Sequence, residues 1–287
     1  MTRHYLDHAS TSPLRPESAA AMAEALTGIV GDPGRIHHEG MVARHAVETA
    51  RQQVTDMLDA RGREVVFTSG ATESIAMACW GASRRDGRRH SVMSAVEHSA
   101  VRRQADRGPC TVVGVDRTGR VDPDEIMAGV TDDTGIVHLQ LANHEVGTVH
   151  DVATVAHACR QRDVLCHVDA AAAVGQVAVS FRDLGCDLMS VSAHKFGGPP
   201  GIGALLVRRG LRLDPLLLGG EQERARRAGL ENVPAVVGFG AAAAALDPER
   251  LAAESLEATR RTDLLRSDLD AALDALPGIL ADLRSLR

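Results

Sequence analysis

One basic residue of this sequence differs in kind from all the others. The 287 residues include 32 lysines and arginines, but only Lys195 is a lysine, and it lies in a segment rich in glycine and proline. An arginine side chain stays protonated, whereas a desolvated lysine amine can lose its proton and attack a carbonyl to form a Schiff base. The alternative is an ordinary solvated surface lysine. The neighbouring motifs must decide between the two.

Further candidate residues follow short apolar runs that we predict to be strands. Thr72 lies in a turn of small residues, 68–74, that opens a predicted helix, where free N–H groups and the helix dipole suit a phosphate. His98 follows the second run and Asp169 follows the fifth. A carboxylate there could keep a pyridine nitrogen protonated and make the ring an electron sink. Taken separately, each residue is equally well explained as a helix cap or a structural histidine.

A single cofactor would use all of these groups together. Pyridoxal phosphate needs a phosphate cradle, a ring to stack on, a carboxylate and a lysine amine. Ligands of open α/β sheets bind beyond the carboxyl ends of the strands, which is where these residues are expected. The joint occurrence of the four features therefore favours a pyridoxal-phosphate site over four unrelated structural roles.

The elements that position these residues alternate between strand and helix. Seven apolar runs are typical of buried strands, at residues 64–67, 91–95, 111–115, 136–141, 164–168, 188–192 and 203–207. We predict helices at 16–28, 39–60, 71–84, 99–106, 122–129 and 151–162, and a long amphipathic helix from about Pro248 that is broken at Pro277. This order predicts an α/β fold with a mostly parallel, mixed sheet sandwiched by helices.

Composition and charge argue against several functions. A net charge of -6 and a pI near 6.1 give no field that would attract nucleic acid or an anionic membrane. No apolar run approaches the length of a membrane span, and the N-terminus resembles no export signal. The five cysteines have neither metal-ligand spacing nor the pattern of a disulfide framework. We therefore expect a cytoplasmic protein with no metal site.

The ordered motifs resemble those of the cysteine desulfurases, in the class V aminotransferase group of fold-type I pyridoxal-phosphate enzymes. The matching segments are 5–13, 67–74, 96–98, 143–148, 167–170, 192–201 and 219–224, so the resemblance covers nearly the whole chain. It implies conversion of L-cysteine to L-alanine, with transfer of the sulfur to an enzyme thiol. It also implies a homodimer with active sites at the subunit interface, crossed by residues 222–232.

The resemblance implies roles for single residues. Lys195 would form the Schiff base with the cofactor and then shuttle protons. His98 would stack on the ring and relay protons, and Asp169 would pair with the pyridine nitrogen. The remaining cofactor-binding residues would be Ala71, Thr72, Ser192 and His194 around the phosphate, and His144 near the phenolic oxygen or the substrate.

The sequence departs from the family pattern within this site. Ala172 replaces a glutamine that donates to the phenolic oxygen, His144 replaces an asparagine, and Leu230 replaces a threonine that reaches the phosphate in the partner subunit. Loss of two such hydrogen bonds would weaken cofactor binding by roughly tens- to hundreds-fold. In the family, the sulfur-accepting cysteine and a carboxylate-binding arginine belong to a C-terminal small domain. We expect both to be missing, because the sequence ends at Arg287.

We therefore predict a cofactor-binding large domain over residues 15–250, with residues 1–14 and 251–287 as the remnant of a truncated small domain. Three functions stay open. The first is a desulfurase that receives the cysteine loop from a separate C-terminal segment and works with a sulfur-acceptor protein. The second is a diverged pyridoxal-phosphate lyase or aminotransferase acting on another amino acid. The third is a non-catalytic partner subunit of an intact homologue.

Overall fold

A seven-stranded sheet lies at the centre of the structure, a computed structural model that describes residues 4–274. Its strands are β1 (Val65–Thr68), β2 (His90–Ser94), β3 (Cys110–Val113), β4 (Thr134–Gln140), β5 (Leu165–Asp169), β6 (Leu188–Ser192) and β7 (Gly203–Val207). They lie side by side in the order β1-β7-β6-β5-β4-β2-β3. Strands β2 to β6 pair in parallel, whereas β7 is antiparallel to both β1 and β6. The predicted sheet is confirmed, with every strand within two residues of its expected bounds.

Helices cover both faces of this sheet. They are α1 (Pro16–Gly28), α2 (His38–Leu58), α3 (Ala71–Arg85), α4 (Ser99–Ala105), α5 (Pro123–Ala128), α6 (Val152–Gln161), α7 (Phe181–Leu184), α8 (Gln222–Ala225), α9 (Val233–Ala244) and α10 (Pro248–Asp274). Side chains of α3 form the core on one face, and side chains of α2, α5, α6 and α9 form the larger core on the other. Strands β4 to β7 are buried at every position, which explains their unbroken apolar runs.

Helix α9 was not predicted from the sequence. Its residues are almost all small or apolar, and most are buried, so no amphipathic period marks it. It begins at the Asn232 cap, whose side chain accepts a hydrogen bond from the Ala235 N–H at 3.2 Å. A Cβ at Gly240 would lie 2.6 Å from the Cα of Ala50. This glycine therefore lets α9 pack closely against α2.

A buried ion pair holds the segment around α8, which was also not predicted. The Arg51 guanidinium donates to both Glu223 carboxylate oxygens, at 2.7 and 2.9 Å, and the Phe67 N–H donates to the same carboxylate at 2.9 Å. Glu223, Arg224 and Ala225 all have φ between 48° and 60°, a conformation that costs free energy for residues other than glycine. Removing either partner would leave a buried charge without compensation.

The long C-terminal helix α10 begins where it was expected and is attached to the start of the chain. Arg15 binds Glu254 through two hydrogen bonds of 2.6 and 2.9 Å, and Arg250 donates to Glu17 at 2.8 Å. Four of its leucines are between 49% and 72% exposed, namely Leu256, Leu264, Leu265 and Leu269. The predicted break at Pro277 lies outside the described residues, and the division into a large domain and a small-domain remnant stays a prediction.

Within residues 4–274, no helix combines the length and the apolar character that crossing a membrane requires. The longest of them, α10, has charged residues throughout its length.

Candidate active site

All eight residues that were predicted to bind the cofactor or to act in catalysis line one cavity. We call this cavity of about 470 Å³ the front cavity. The eight residues are Ala71, Thr72, His98, His144, Asp169, Ser192, His194 and Lys195. It lies at the carboxyl ends of the parallel strands, where each chain segment leaves the sheet carrying polar side chains. Their chemical roles remain predictions, but their meeting in one place is an observation.

The first turn of α3 offers main-chain donors to the front cavity. Gly70 precedes the helix with φ of 153°, a conformation that L side chains rarely adopt. A Cβ at Gly203 would lie 2.7 Å from the Gly70 Cα, so β7 and this turn touch through their backbones. Within the described residues, the N–H groups of residues 71–73 and the Thr72 and Ser192 hydroxyls have no hydrogen-bond partner. These donors fit a bound phosphate.

The lysine loop is fixed in place by the N-terminal segment. The Ser12 N–H and hydroxyl donate to the carbonyls of His194 and Lys195, at 2.8 and 2.7 Å. Arg15 donates from its main chain to the Gly197 carbonyl at 2.8 Å and from its side chain to the Phe196 carbonyl at 2.9 Å. Residues 12–15 therefore position the loop, a task that was not expected of the predicted remnant 1–14, to which Ser12 belongs.

The Lys195 amine is nearer to its neutral form than an ordinary lysine. It donates to the Ala9 carbonyl. Burial lowers its pKa, while the negative charges of Asp169 and Asp7 act in the opposite direction. The pKa of the neighbouring His194 is lowered by burial and by the charge of Lys195. A pKa shifted towards neutrality is what a nucleophilic amine requires.

Asp169 provides a buried carboxyl group at the end of β5. One of its oxygens accepts the Ala171 N–H at 3.0 Å. Burial raises its pKa, and the charges of His98, Lys195 and His144 oppose that effect. Among the described residues no basic group forms an ion pair with it, although it faces the cavity. A protonated ring nitrogen placed there would supply the missing cation, so the donor set fits pyridoxal phosphate.

Glu97 is a second buried carboxyl group at this site, and sequence reasoning assigned it no role. Its Oε1 accepts the Gln140 N–H at 2.7 Å and the Ser94 hydroxyl at 3.2 Å. Its Oε2 is buried without a partner. Burial raises its pKa to about 8, and the charge of Asp169 adds to the rise. Glu97 ties β4 to the loop that carries His98, and only its place beside His98 in the motif could have pointed to it.

His98 both lines the front cavity and caps a helix. Its Nδ1 accepts the Ala100 N–H at 3.1 Å at the start of α4, so the structural explanation holds, and the catalytic role stays a prediction. The His98 ring lies edge-on to His144, with 5.7 Å between ring centroids. Ala172 also lines the cavity. Leu230 is 63% exposed and does not line it.

None of the five cysteines lines the front cavity. Cys159, Cys166 and Cys186 are buried. The pKa of Cys166 is raised by its interaction with Cys159 and by burial, and burial raises the pKa of Cys186. Buried thiols with a raised pKa are typical of unreactive core cysteines.

Comparison with known proteins agrees with the geometry. The sequence model of the class-V aminotransferases matches residues 4–283. The chain is 38% identical over 281 residues to the cysteine desulfurase IscS of Methanosarcina thermophila, covering 95% of this chain and 68% of that protein. A solved NifS-like protein is 32% identical with a TM-score of 0.87, over 96% of this chain and 77% of its own. SspA, solved in complex with cysteine, is 29% identical with a TM-score of 0.81, over 84% and 72%.

These relatives confirm the predicted fold-type I architecture and the predicted family. The chain spans 68% of the length of the Methanosarcina protein and between 61% and 65% of the length of seven further curated relatives. The chain belongs to the class-V aminotransferase family and, within it, to the cysteine desulfurases.

Proposed function

We propose that this chain binds pyridoxal phosphate in the front cavity and acts on L-cysteine as a desulfurase does, by breaking its C–S bond. The observation that carries the proposal is the meeting of three groups in one cavity: the Lys195 amine, the Asp169 carboxyl and the free N–H groups that open α3. The relationship to cysteine desulfurases supports this activity, and the neighbour solved with cysteine supports L-cysteine as substrate.

The residues that would hold the cofactor fall into groups that contact its phosphate, its ring and the bound substrate. When bound, pyridoxal phosphate supplies an aldehyde that condenses with an amine and a ring that accepts electrons. The Thr72 and Ser192 hydroxyls, with the first-turn N–H groups of α3, would bind the phosphate. Asp169 would hold a proton on the ring nitrogen, and His98 would lie against the ring. Lys195 would move a proton to or from the α-carbon of the substrate, because its amine is the one with a lowered pKa.

Sulfur must leave the substrate through a thiol that is not one of these five cysteines. None of them lines the front cavity, and burial raises the pKa of the Cys79 thiol to about 12. The proposed reaction is L-cysteine plus an acceptor thiol giving L-alanine plus a persulfide on that acceptor. The acceptor's sulfur forms the new S–S bond, the substrate C–S bond breaks, and the acceptor's proton replaces the sulfur on carbon. A separate segment or acceptor protein would supply this thiol.

We further propose that the protein acts as a homodimer in a reducing cytoplasm. Ile36 and Leu218 are 87% and 84% exposed, an exposure of large apolar side chains that a subunit interface would cover. The unpaired state of all five cysteines supports a reducing compartment. Light scattering of the purified protein tests the dimer, and a monomer at micromolar concentration would contradict it.

Reconstitution with pyridoxal phosphate tests the proposed function. We expect a visible absorption band in the parent protein and its loss in Lys195→Ala. The matched control is Lys195→Arg, which keeps the charge but cannot condense with the aldehyde. Absence of the band in the parent would overturn cofactor binding.

L-cysteine and an added thiol then test the reaction. Formation of L-alanine supports desulfuration. A spectral change with a different amino acid, without alanine from L-cysteine, would instead establish a diverged lyase or aminotransferase. The lack of a thiol at the front cavity is the observation that keeps this second candidate in view. If the cofactor band forms but no amino acid changes it, both enzymatic functions would be contradicted. The function as a non-catalytic partner subunit would then be the one that remains.

A further inference from the structure

A second cavity lies at the opposite end of α3 from the front cavity. We call it the rear cavity; its volume is about 680 Å³, within the range of small-molecule sites. It opens between α3, α4 and the amino-terminal parts of β2 and β4. The residues that matter for its chemistry are Cys79, Trp80, Arg89, Arg107 and His138.

The rear cavity carries positive charge without an acidic residue in its lining. Arg88 is already bound to Asp86 and Asp163, at 2.6 and 3.0 Å. In contrast, Arg89 and Arg107 form no ion pair and no side-chain hydrogen bond within the described part of the chain. Two unpaired guanidinium groups at one cavity favour an oxyanion, because their N–H groups match carboxylate and phosphate oxygens.

One wall of the rear cavity suits a flat ring. Trp80 lines it together with the apolar Ala76, Ile136 and Leu216. The Arg84 guanidinium lies 4.4 Å from the centre of the Trp80 ring, which holds the indole in place by a cation–π interaction. An indole next to basic side chains is the combination that binds nucleobases by stacking.

The floor of the rear cavity is a buried polar chain. His138, 1% exposed, contacts His167 through their Nδ1 atoms at 2.9 Å, and the His167 Nε2 lies 2.8 Å from the Ser190 hydroxyl. Burial lowers the pKa of His138 to about 4 and that of His167 well below its usual range, with His138 contributing. Both rings are therefore neutral, and each has one donor and one acceptor nitrogen.

The remaining nitrogen of His138, a residue that lines the rear cavity, has only a weak partner. Its Nε2 has only the Cys79 sulfur as partner, at 3.7 Å, and sulfur is a weak hydrogen-bonding group. A buried polar atom that is poorly satisfied and lines a cavity is suited to the polar edge of a bound molecule. This observation is independent of the arginines, which lie on the exposed side of the cavity.

We propose that the rear cavity binds a nucleoside monophosphate. Its phosphate would bind Arg89 and Arg107, its base would lie along Trp80, and a polar atom of the base would meet His138. Each part of such a ligand matches one observed part of the cavity. The proposal does not depend on the function of the front cavity, since it uses none of that cavity's residues.

Trp80 is the sole tryptophan of the sequence, so its fluorescence reports on this cavity directly. The full chain, loaded with pyridoxal phosphate to occupy the front cavity, is titrated with adenosine monophosphate. We expect a saturable fluorescence change. Adenosine, which lacks the phosphate, and ribose 5-phosphate, which lacks the base, should each bind at least about tenfold more weakly.

Variants separate specific binding from a nonspecific effect. Arg89→Ala and Arg107→Ala should each raise the Kd for adenosine monophosphate about tenfold or more. Arg103→Ala, on α4 but outside the cavity lining, is the matched control and should leave the Kd unchanged. Equilibrium dialysis gives the Kd without relying on Trp80, and circular dichroism confirms that each variant is folded.

Three results would overturn the proposal. The first is no saturable binding of adenosine monophosphate by dialysis. The second is an unchanged Kd in the Arg89→Ala, Arg107→Ala double variant. The third is binding that pyridoxal phosphate displaces, because the nucleotide would then occupy the front cavity. Loss of the cofactor band in Lys195→Ala, with nucleotide binding unchanged, would show that nucleotide binding at the rear cavity does not depend on the cofactor at the front cavity.

Discussion

The front and rear cavities lie along the same helix and differ in the protonation behaviour of their ionisable residues. The first turn of α3 contributes Ala71, Thr72, Glu73 and Ile75 to the front cavity, and the following turns contribute Ala76, Cys79, Trp80, Ala82 and Ser83 to the rear one. In the front cavity, burial lowers the pKa of Lys195 and raises that of Asp169. Burial therefore makes loss of a proton easier for Lys195 and gain of a proton easier for Asp169. In the rear cavity the charged groups are arginines, which stay protonated, and the buried histidine pair stays neutral.

This difference fits the functions that we propose for the two cavities, a reaction in the front cavity and recognition of an anion in the rear one. Proton transfer needs groups whose two protonation states are close in free energy. Binding an anion needs only donors with a constant charge. The front cavity also offers main-chain N–H groups to an anion, and these are fixed by the helix, whereas the rear cavity offers flexible side chains. The following predictions test whether the two cavities are as distinct as their chemistry indicates.

The largest expected effect is on the Cys79 thiol at the rear cavity. Burial raises its pKa from 9.0 to about 12, so its thiolate fraction near neutral pH falls about a thousandfold. Iodoacetamide should modify Cys79 about a thousandfold more slowly in the folded protein than in urea, as measured by mass spectrometry of its peptide. Arg107→Ala should slow it further, because the charge of Arg107 lowers this pKa. Rapid modification would show that the Cys79 thiol is open to solvent in the folded protein.

The next effect concerns the buried carboxyl group of the front cavity. Asp169→Asn should raise the Kd for pyridoxal phosphate by at least about a hundredfold, because it removes one partner of a buried ion pair. Titration of the visible band measures this change. Nucleotide binding at the rear cavity, followed through Trp80, should stay the same; a parallel loss would show that the two cavities act as one unit.

The same substitution should also change how the stability of the cofactor-free protein depends on pH. Burial raises the folded-state pKa of Asp169, so the free energy of unfolding falls as pH rises from the unfolded pKa, about 3.9, to the raised folded value. Asp169→Asn should therefore increase the Tm of the cofactor-free protein above that window. The gain should vanish below the unfolded pKa. Thermal melts at several pH values test this, and a gain that persists in acid would contradict it.

A smaller effect is expected on the reactivity of Lys195. Since burial lowers its pKa, the neutral amine should be present at a lower pH than in an ordinary lysine. The rate of band formation with pyridoxal should therefore rise with pH and level off below the usual lysine pKa. Asp7→Asn should move this profile to lower pH, because the charge of Asp7 raises the pKa. An unmoved profile would show that Asp7 exerts no influence on the amine.

The smallest expected effect comes from Ala172, which lines the front cavity. Ala172→Gln would add one hydrogen-bond donor for the cofactor and should lower its Kd by about two- to tenfold. Ala172→Leu, of similar bulk but without the amide, is the control and should not tighten binding. Equal changes in both variants would assign the effect to packing.

Much of the fold could be predicted because strands and amphipathic helices have distinct periods. Buried strands such as β6 and β7 appear as short apolar runs, and the sequence bounds match the structure. Helix α9 could not be recognised, since a helix buried on all sides has no polar face and no period. The α8 segment was missed for another reason: its left-handed residues depend on the Arg51–Glu223 pair, whose members are 172 residues apart.

The amino-acid sequence by itself determined the family, the order of the seven strands and eight of the residues that line the front cavity. It could do so because motif residues directly follow recognisable strands, and parallel strands bring their ends together. Only the tertiary structure showed the direction in which their pKa values shift, since burial of Lys195 and Asp169, and of the neighbouring Glu97, depends on what packs around them. It alone revealed the rear cavity, because Trp80, Arg107 and His138 carry no shared motif and meet only when α3, α4 and β4 pack together.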